Sequence, residues 1–368
     1  RRYQMKILFL SNLEYEVFAG PTYCVPALIS ALSEFDEVAW YNMKPVEHLD
    51  WRKLPFYRNP NDFKFDFEVI CRRIWVPDLI VFEGFYAFHP GYSLLRVLYS
   101  GIPYVIEPHC ALTSGDQAKK LLKKRICNLL FYRGFASGAS AIHYLTEREC
   151  NESGLRWNQN CFIEPNGIEM PEARPVRTSW HKDVPEIVYI GRIEPYQKGL
   201  DVLLEALLLL KTRSLCPEFH ISVYGNSVNG SSELIIERIK KEGLDPFISL
   251  LKPVYGAEKD EVLRAADYFL LTSRYEGMPM GLLEACAYGL PSIVTPGTNM
   301  AEIIDDERAG WVADFNSESI ANAINLASHS KDDFASRASA AFKVAEKYSW
   351  RSIAESIHFD YTKVVGIQ

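Results

Sequence analysis

Residues 268–290, Y-F-L-L-T-S-R-Y-E-G-M-P-M-G-L-L-E-A-C-A-Y-G-L, run from a short apolar stretch through a turn holding glycine and proline into a second apolar stretch. A short apolar run bounded by turn residues reads as a strand covered on both faces, which is the condition of a parallel sheet flanked by helices. After Pro279 the apolar residues take helical spacing, so the unit is strand, turn, helix. Glu276 falls on the turn and Glu284 about one turn into the helix. Both carboxylates then face one crevice at the carboxyl edge of the sheet, where open α/β folds bind ligands. Carboxylates only accept hydrogen bonds, so each can hold a pair of ribose or sugar hydroxyls. The plainer alternative is two exposed glutamates favoured at a helix start by its dipole.

A second segment, Glu186 to Leu200, reads E-I-V-Y-I-G-R-I-E-P-Y-Q-K-G-L. It predicts a strand, then Gly191 and Arg192, then a loop in which Lys198 and Gly199 open an apolar helix over 200–210. Free N–H groups and a positive dipole end at such a helix start favour an anion. With the Arg192 guanidinium fork and the Lys198 ammonium beside it, a diphosphate fits. Solvated basic residues on a loop are the alternative.

Taken together, G-R-I-E-P-Y-Q-K-G and, some eighty residues later, E-G-M-P-M-G-L-L-E resemble the donor site of the retaining family-4 glycosyltransferases, which have the GT-B fold. E-P-N-G-I at 164–168 is similar to the end of that family's first domain, and Y-S-W at 348–350 to the start of its closing helices, so the likeness covers nearly the whole chain. It implies an α/β fold of two Rossmann-like doubly wound parallel-sheet domains facing across a cleft. The expected division is an acceptor-binding domain over 1–170, with the terminal segment 351–368 packing back on it, and a nucleotide-sugar domain over 171–350. The alternation of strand and helix agrees. Strands are expected at 6–11, 38–42, 79–83, 104–107, 141–145 and 162–164, and after a linker near 168–184 at 187–190, 220–224, 248–251, 268–272, 292–295 and 310–313.

The resemblance also assigns roles. Ribose hydroxyls lie on Glu284, the diphosphate between Arg192 and Lys198 beside Gly191, and the hexose on Glu276 with backbone at Gly277, Met278, Pro279 and Met280. Pro279 has no N–H to offer where relatives have glycine. Val254 and Tyr255 pass near the base; uracil and guanine cannot be told apart from these residues, and UDP is favoured. His109, ending an apolar strand after Glu107 and Pro108, faces the donor sugar. Gly20, between Ala19 and Pro21, lets backbone approach a phosphate, or else makes a structural turn. Glu83, Phe85 and His89, in E-G-F-Y-A-F-H-P, form an acceptor subsite, since aromatic rings meet the apolar faces of sugars, or else pack under a loop.

Composition bounds the alternatives. At 368 residues the chain suffices for two cores. The first 175 residues carry 20 basic and 20 acidic residues, leaving 20 against 27, so the net charge of −7 lies wholly in the remainder and no basic footprint for nucleic acid appears. Eight cysteines without C-x-x-C read as reduced thiols, not a disulfide or zinc framework. Neither a spanning helix nor a signal peptide is indicated, so a cytoplasmic protein is expected, at the inner face of the membrane. One run stands out: Lys119–Arg133, K-K-L-L-K-K-R-I-C-N-L-L-F-Y-R, with Leu121, Leu122, Ile126, Leu129 and Leu130 at helical spacing against clustered cations. It suits contact with an anionic membrane carrying a polyprenyl-linked saccharide acceptor, or a solvated face over a core.

No Asp-x-Asp occurs, so no metal and no cofactor are expected, and cations take the ion's part. Charge that moves onto the departing diphosphate is stabilised more than the ground state, and that difference is the catalysis. No carboxylate presents itself as a nucleophile, and the resemblance favours front-face attack with His109 supporting the oxocarbenium-like sugar. Competing readings are a sugar-nucleotide epimerase of the same fold and a non-catalytic nucleotide-sugar-binding module. Polysaccharide or lipopolysaccharide assembly in the cell envelope is the expected setting.

Overall fold

The computed structural model describes residues 4–366 apart from 15–19, 46–48, 60, 62–64, 119, 181–183, 214–218 and 229. It divides into two compact units, Arg1–Gly167 with Trp350–Gln368, and Ile168–Ser349.

The first unit holds β1 (Lys6–Ser11), β2 (Glu37–Asn42), β3 (Tyr57–Arg58), β4 (Leu79–Glu83), β5 (Tyr104–Glu107), β6 (Ala141–Tyr144) and β7 (Cys161–Ile163). Their order across the sheet is β3-β2-β1-β4-β5-β6-β7, with every pairing parallel. Side chains alternate faces along a strand, so a sheet covered on both sides needs apolar residues at every position. β1 shows this directly: Ile7 and Phe9 enter one buried cluster, and Leu8 and Leu10 the other. β4 divides the same way, with Leu79 and Val81 on one face and Ile80 and Phe82 on the other. The helix Trp350–Val365 closes the first of these faces, burying Trp350, Ile353, Ala354, Ile357 and Tyr361 at helical spacing. His358 Nδ1, 2.7 Å from the buried Asp36 carboxylate, ties that helix to the turn before β2.

The second unit holds β8 (Glu186–Ile190), β9 (His220–Tyr224), β10 (Ile248–Leu251), β11 (Tyr268–Leu271), β12 (Ser292–Val294) and β13 (Gly310–Val312), in the order β10-β9-β8-β11-β12-β13, again all parallel. One buried cluster spans both faces of this sheet. Strand order reverses at β1/β4 in the first unit and at β8/β11 in the second. Chain direction leads away on opposite sides at such a point, opening a crevice beyond the carboxyl ends of the two strands.

Expected and observed strands agree to within a residue or so, except for β3. Its two residues follow Pro55 and precede Asn59 and Pro60, so no apolar period marks them.

Candidate functional site

The carboxyl ends of β8 and β11 are neighbours in the sheet, with Ile187 opposite Tyr268 and Val188 opposite Phe269. The loops that follow stay side by side. Arg274 N donates to Gln197 O at 2.8 Å, and Thr272 Oγ1 to Lys198 O at 3.2 Å. Lys198 Nζ reaches Glu276 Oε1 at 2.5 Å, and that same oxygen accepts from Ser273 Oγ at 2.5 Å. Residues 78 positions apart in sequence therefore meet at the switch point of the second sheet. Glu276 is buried, 7% exposed as a residue, and a carboxylate so placed requires a partner. Lys198 supplies the countercharge while keeping two of its three donors for other acceptors.

A third loop fixes Glu276 from behind. Glu276 N donates to Gly297 O, and Asn299 Nδ2 donates to the carbonyls of Glu276 and Gly277 at 2.6 and 3.1 Å. Asn299 does so from a left-handed backbone (φ 59°), which asparagine tolerates better than most residues. Pro279 is the N-cap of the helix Met280–Ala287 and is buried, Met278 and Met280 lean on the core, and Gly277 is exposed with open space where a Cβ would stand.

Two features depart from the sequence reading. Lys198 does not open the long helix. It ends a separate turn, Pro195–Lys198, and Gly199 at φ 67° divides that turn from the helix Leu200–Thr212. Glu194 caps the short turn by accepting from Gln197 N, whereas the helix Leu200–Thr212 has no side-chain cap, its first-turn Asp201 being paired with Arg274 at 2.8 Å from both guanidinium nitrogens. Two side-chain cations, Lys198 and Arg192, stand on this loop. Of these, Arg192 is exposed and donates from Nη2 to Gln197 at 3.1 Å.

Glu284 sits in the helix Met280–Ala287 and pairs with Lys259 Nζ at 2.8 Å, so its carboxylate is shared with a cation absent from the sequence reading. Val254 is buried, and half-exposed Tyr255 accepts from Asn226 Nδ2 at 2.5 Å through its hydroxyl. Gly191 N donates to Tyr224 O, where β8 and β9 end together. Lys259 and Asn299 carried no periodic or motif signal, since each matters only through a tertiary contact, whereas Ser273 acts locally, three residues before Glu276.

In the first unit, His109 follows β5 in a left-handed conformation (φ 48°), as does Cys110 (φ 65°). Backbone strain of this kind persists where surrounding bonds enforce it. Glu149, unforeseen in the sequence, does so by accepting from Cys110 N at 2.5 Å and Leu145 N at 3.0 Å. His109 Nε2 lies 3.0 Å from Glu83 Oε2, and Nδ1 3.6 Å from Glu107 Oε1. His143 Nδ1 stands 3.1 Å from the other Glu107 oxygen. Glu83, Glu107 and His109 bring ligand-type atoms within 4.8 Å of one another, yet the imidazoles already balance the carboxylate charge.

The expected acceptor subsite takes a different form. Phe85 is a core residue, packed against Tyr86, Tyr132, Phe135 and Trp157, and offers no face to a sugar. Glu83 is buried against His109 as its partner, and only His89 is exposed. Gly20 begins the helix Gly20–Leu32, while Ala19 lies outside the described residues.

Burial alone would lower the His109 proton affinity, but the charges of Glu107 and Glu83 outweigh it and raise its pKa to about 9. Burial, followed by the charge of Glu107, raises Glu83 to about 7. The folded chain thus holds protons that the unfolded chain releases. The stability contributed by the His109 imidazolium is full below about 6.5, its ordinary value, and is lost as pH rises through about 9. Urea unfolding is expected to show stability falling between pH 6.5 and 9, with a flatter profile for His109→Gln. An equal slope in the variant would refute the assignment.

Residues 172–344 match the family model of the glycosyl transferases group 1. The chain is 32% identical over 168 residues to an O-antigen chain mannosyltransferase B of Escherichia coli, covering 45% of this chain and 42% of that protein. It is 30% identical over 132 residues to a mannosylfructose-phosphate synthase of Agrobacterium fabrum, covering 35% and 29%. The chain thus spans less than half the length of either curated relative. A glycosyltransferase from Rickettsia africae superposes with a TM-score of 0.70 at 14% identity, over 99% of this chain and 100% of that one. Anabaena HepE in complex with UDP and glucose gives 0.63 at 18%, over 98% and 100%. At these identities the likeness is one of fold, the two-unit α/β architecture of those chains.

Proposed function

We propose, from the premise that residues 172–344 belong to the group 1 glycosyl transferases, that this chain is a retaining glycosyltransferase moving a hexose from a nucleotide sugar, with UDP favoured, to a saccharide or lipid-linked saccharide. The observation that carries the reading is the meeting of Lys198, Ser273 and Glu276 at the β8/β11 switch point. A cation and a carboxylate held in one small volume suit a ligand with an anionic end and a hydroxylated end. The two free donors of Lys198, with Arg192, would take diphosphate oxygens. The second Glu276 oxygen would take hexose hydroxyls, and Glu284, steadied by Lys259, the ribose.

Breaking the glycosidic bond shifts charge onto the leaving diphosphate. A preformed ammonium stabilises that charge without reorganising, so it lowers the barrier more than it tightens substrate binding. Front-face attack is favoured, the leaving phosphate accepting the proton of the incoming hydroxyl. His109, held as an imidazolium by two glutamates, is assigned to the sugar. An acceptor borne on a polyprenyl lipid, in cell-envelope polysaccharide assembly, brings contact with an anionic membrane into the same reading.

The reading needs no metal. Release of UDP or GDP from a panel of nucleotide sugars, with oligosaccharide acceptor present, is expected to run at full rate in excess chelator. An absolute divalent-ion requirement would refute the metal-free step, and isomerised donor without any transfer would replace it with an epimerase.

A further inference from the structure

The segment 120–137 is apolar on two opposite faces. It consists of the helix Leu121–Cys127, a π-helical turn Asn128–Tyr132 and the helix Arg133–Ser137. Its inner face enters the core through Tyr132, Phe135 and Ala136. Its outer face is apolar as well: Leu122 is 73% exposed, Leu129 and Leu130 78% each, and Ile126 52%. Single exposed leucines are ordinary, but four on one side of one helical run make a patch that asks for a non-aqueous partner.

Charge identifies the partner. Lys120, Lys123, Arg125 and Arg133 are exposed around the leucines, and no acidic residue occurs between Lys120 and Arg133. Lys124, by contrast, is turned in to Asp116 at 2.6 Å. Two copies of the chain pairing through this face would bring the same cations together, which disfavours self-association. A surface with anionic headgroups over an apolar interior meets both demands, the leucines entering the acyl boundary and the cations the phosphates. The chain as a whole is net acidic, so attraction to such a surface is a property of the patch and not of overall charge.

We infer that residues 120–133 form a membrane-docking surface for an anionic bilayer, which seats the enzyme beside its lipid-linked acceptor. The second clause rests on the function proposed above; the first does not.

The test is sedimentation of the full chain with vesicles of phosphatidylcholine alone or mixed with phosphatidylglycerol. Binding is expected only to the mixed vesicles, and is expected to weaken as salt rises from about 0.1 M to about 1 M, where screening shortens from ~10 Å to ~3 Å. Neutralising two cations, Lys123→Gln with Arg125→Gln, is expected to weaken binding about thirtyfold, since each basic residue near an anionic surface contributes on the order of fivefold. Leu129→Ser with Leu130→Ser is expected to reduce binding at least tenfold. Both double variants should keep the parent's thermal stabilisation by UDP, because the patch lies outside the donor site. Equal binding to neutral vesicles, leucine variants that bind like the parent, or a parent that dimerises through the leucines without binding vesicles would each overturn the inference. Vesicle binding without any UDP effect would uphold the surface and count against the donor assignment instead.

Discussion

Replacing Lys198 by alanine is expected to cut turnover about a hundredfold, the loss of roughly 3 kcal/mol of transition-state stabilisation that follows removal of one preformed group at a developing anion. The consequence for the fold is separable. Lys198 is the ion-pair partner of the buried Glu276, so the alanine variant leaves that carboxylate with Ser273 as its side-chain donor. Removing one partner of a buried pair costs more than the pair contributes, because the remaining charge is left desolvated. With Lys198 itself partly exposed, a stability loss of about 2 kcal/mol is expected, by urea unfolding. The paired variant, Lys198→Ala with Glu276→Gln, removes the stranded charge and should recover most of that stability while leaving turnover low. Turnover near the parent's in Lys198→Ala would sink the donor-site assignment. Equal stability of the single and paired variants would sink the account of the ion pair.

Those two residues were legible because their positions follow from strand periods. Strands covered on both faces are apolar throughout, so runs such as Leu79–Glu83 and Tyr268–Leu271 stand out, and the turns at their ends locate Lys198 and Glu276 at a sheet edge. Contacts made from elsewhere leave no such trace. The pairing of Glu284 with Lys259, the Glu149 carboxylate bridging two strand-end loops, and Asn299 behind Glu276 all depend on which loops happen to lie together. Phe85 shows the converse: an aromatic next to a strand end suits a sugar or a core equally, and burial decided for the core. In 121–130 the spacing tells which residues share a side, not which way that side faces. Here Tyr132 and Phe135 take the inner face, and the leucines are left outside.

Gly199→Ala is expected to be strongly disruptive, costing on the order of 3 kcal/mol of stability and carrying turnover down with it. Two independent costs add. Gly199 lies in the left-handed region at φ 67°, where an L-residue costs about 1–2 kcal/mol. A Cβ there would also stand 2.0 Å from Thr272 O and 3.0 Å from the Phe315 ring. The first obstacle is backbone, so no rotamer change relieves it; either the β11 end or the Lys198 turn has to shift. Those are the two segments that carry Glu276 and Lys198, and displacements of about 1 Å at such a site cost on the order of a hundredfold in rate. Gly277→Ala is the control, since Gly277 is exposed and nothing lies within 4 Å of its Cβ position. Its stability change should stay within about 0.5 kcal/mol. Urea unfolding of the three proteins decides the matter: a Gly199→Ala midpoint indistinguishable from the parent's would show that the loop following β11 does not press on Gly199 as described. The juxtaposition of Lys198 and Glu276 would then lose its structural cause.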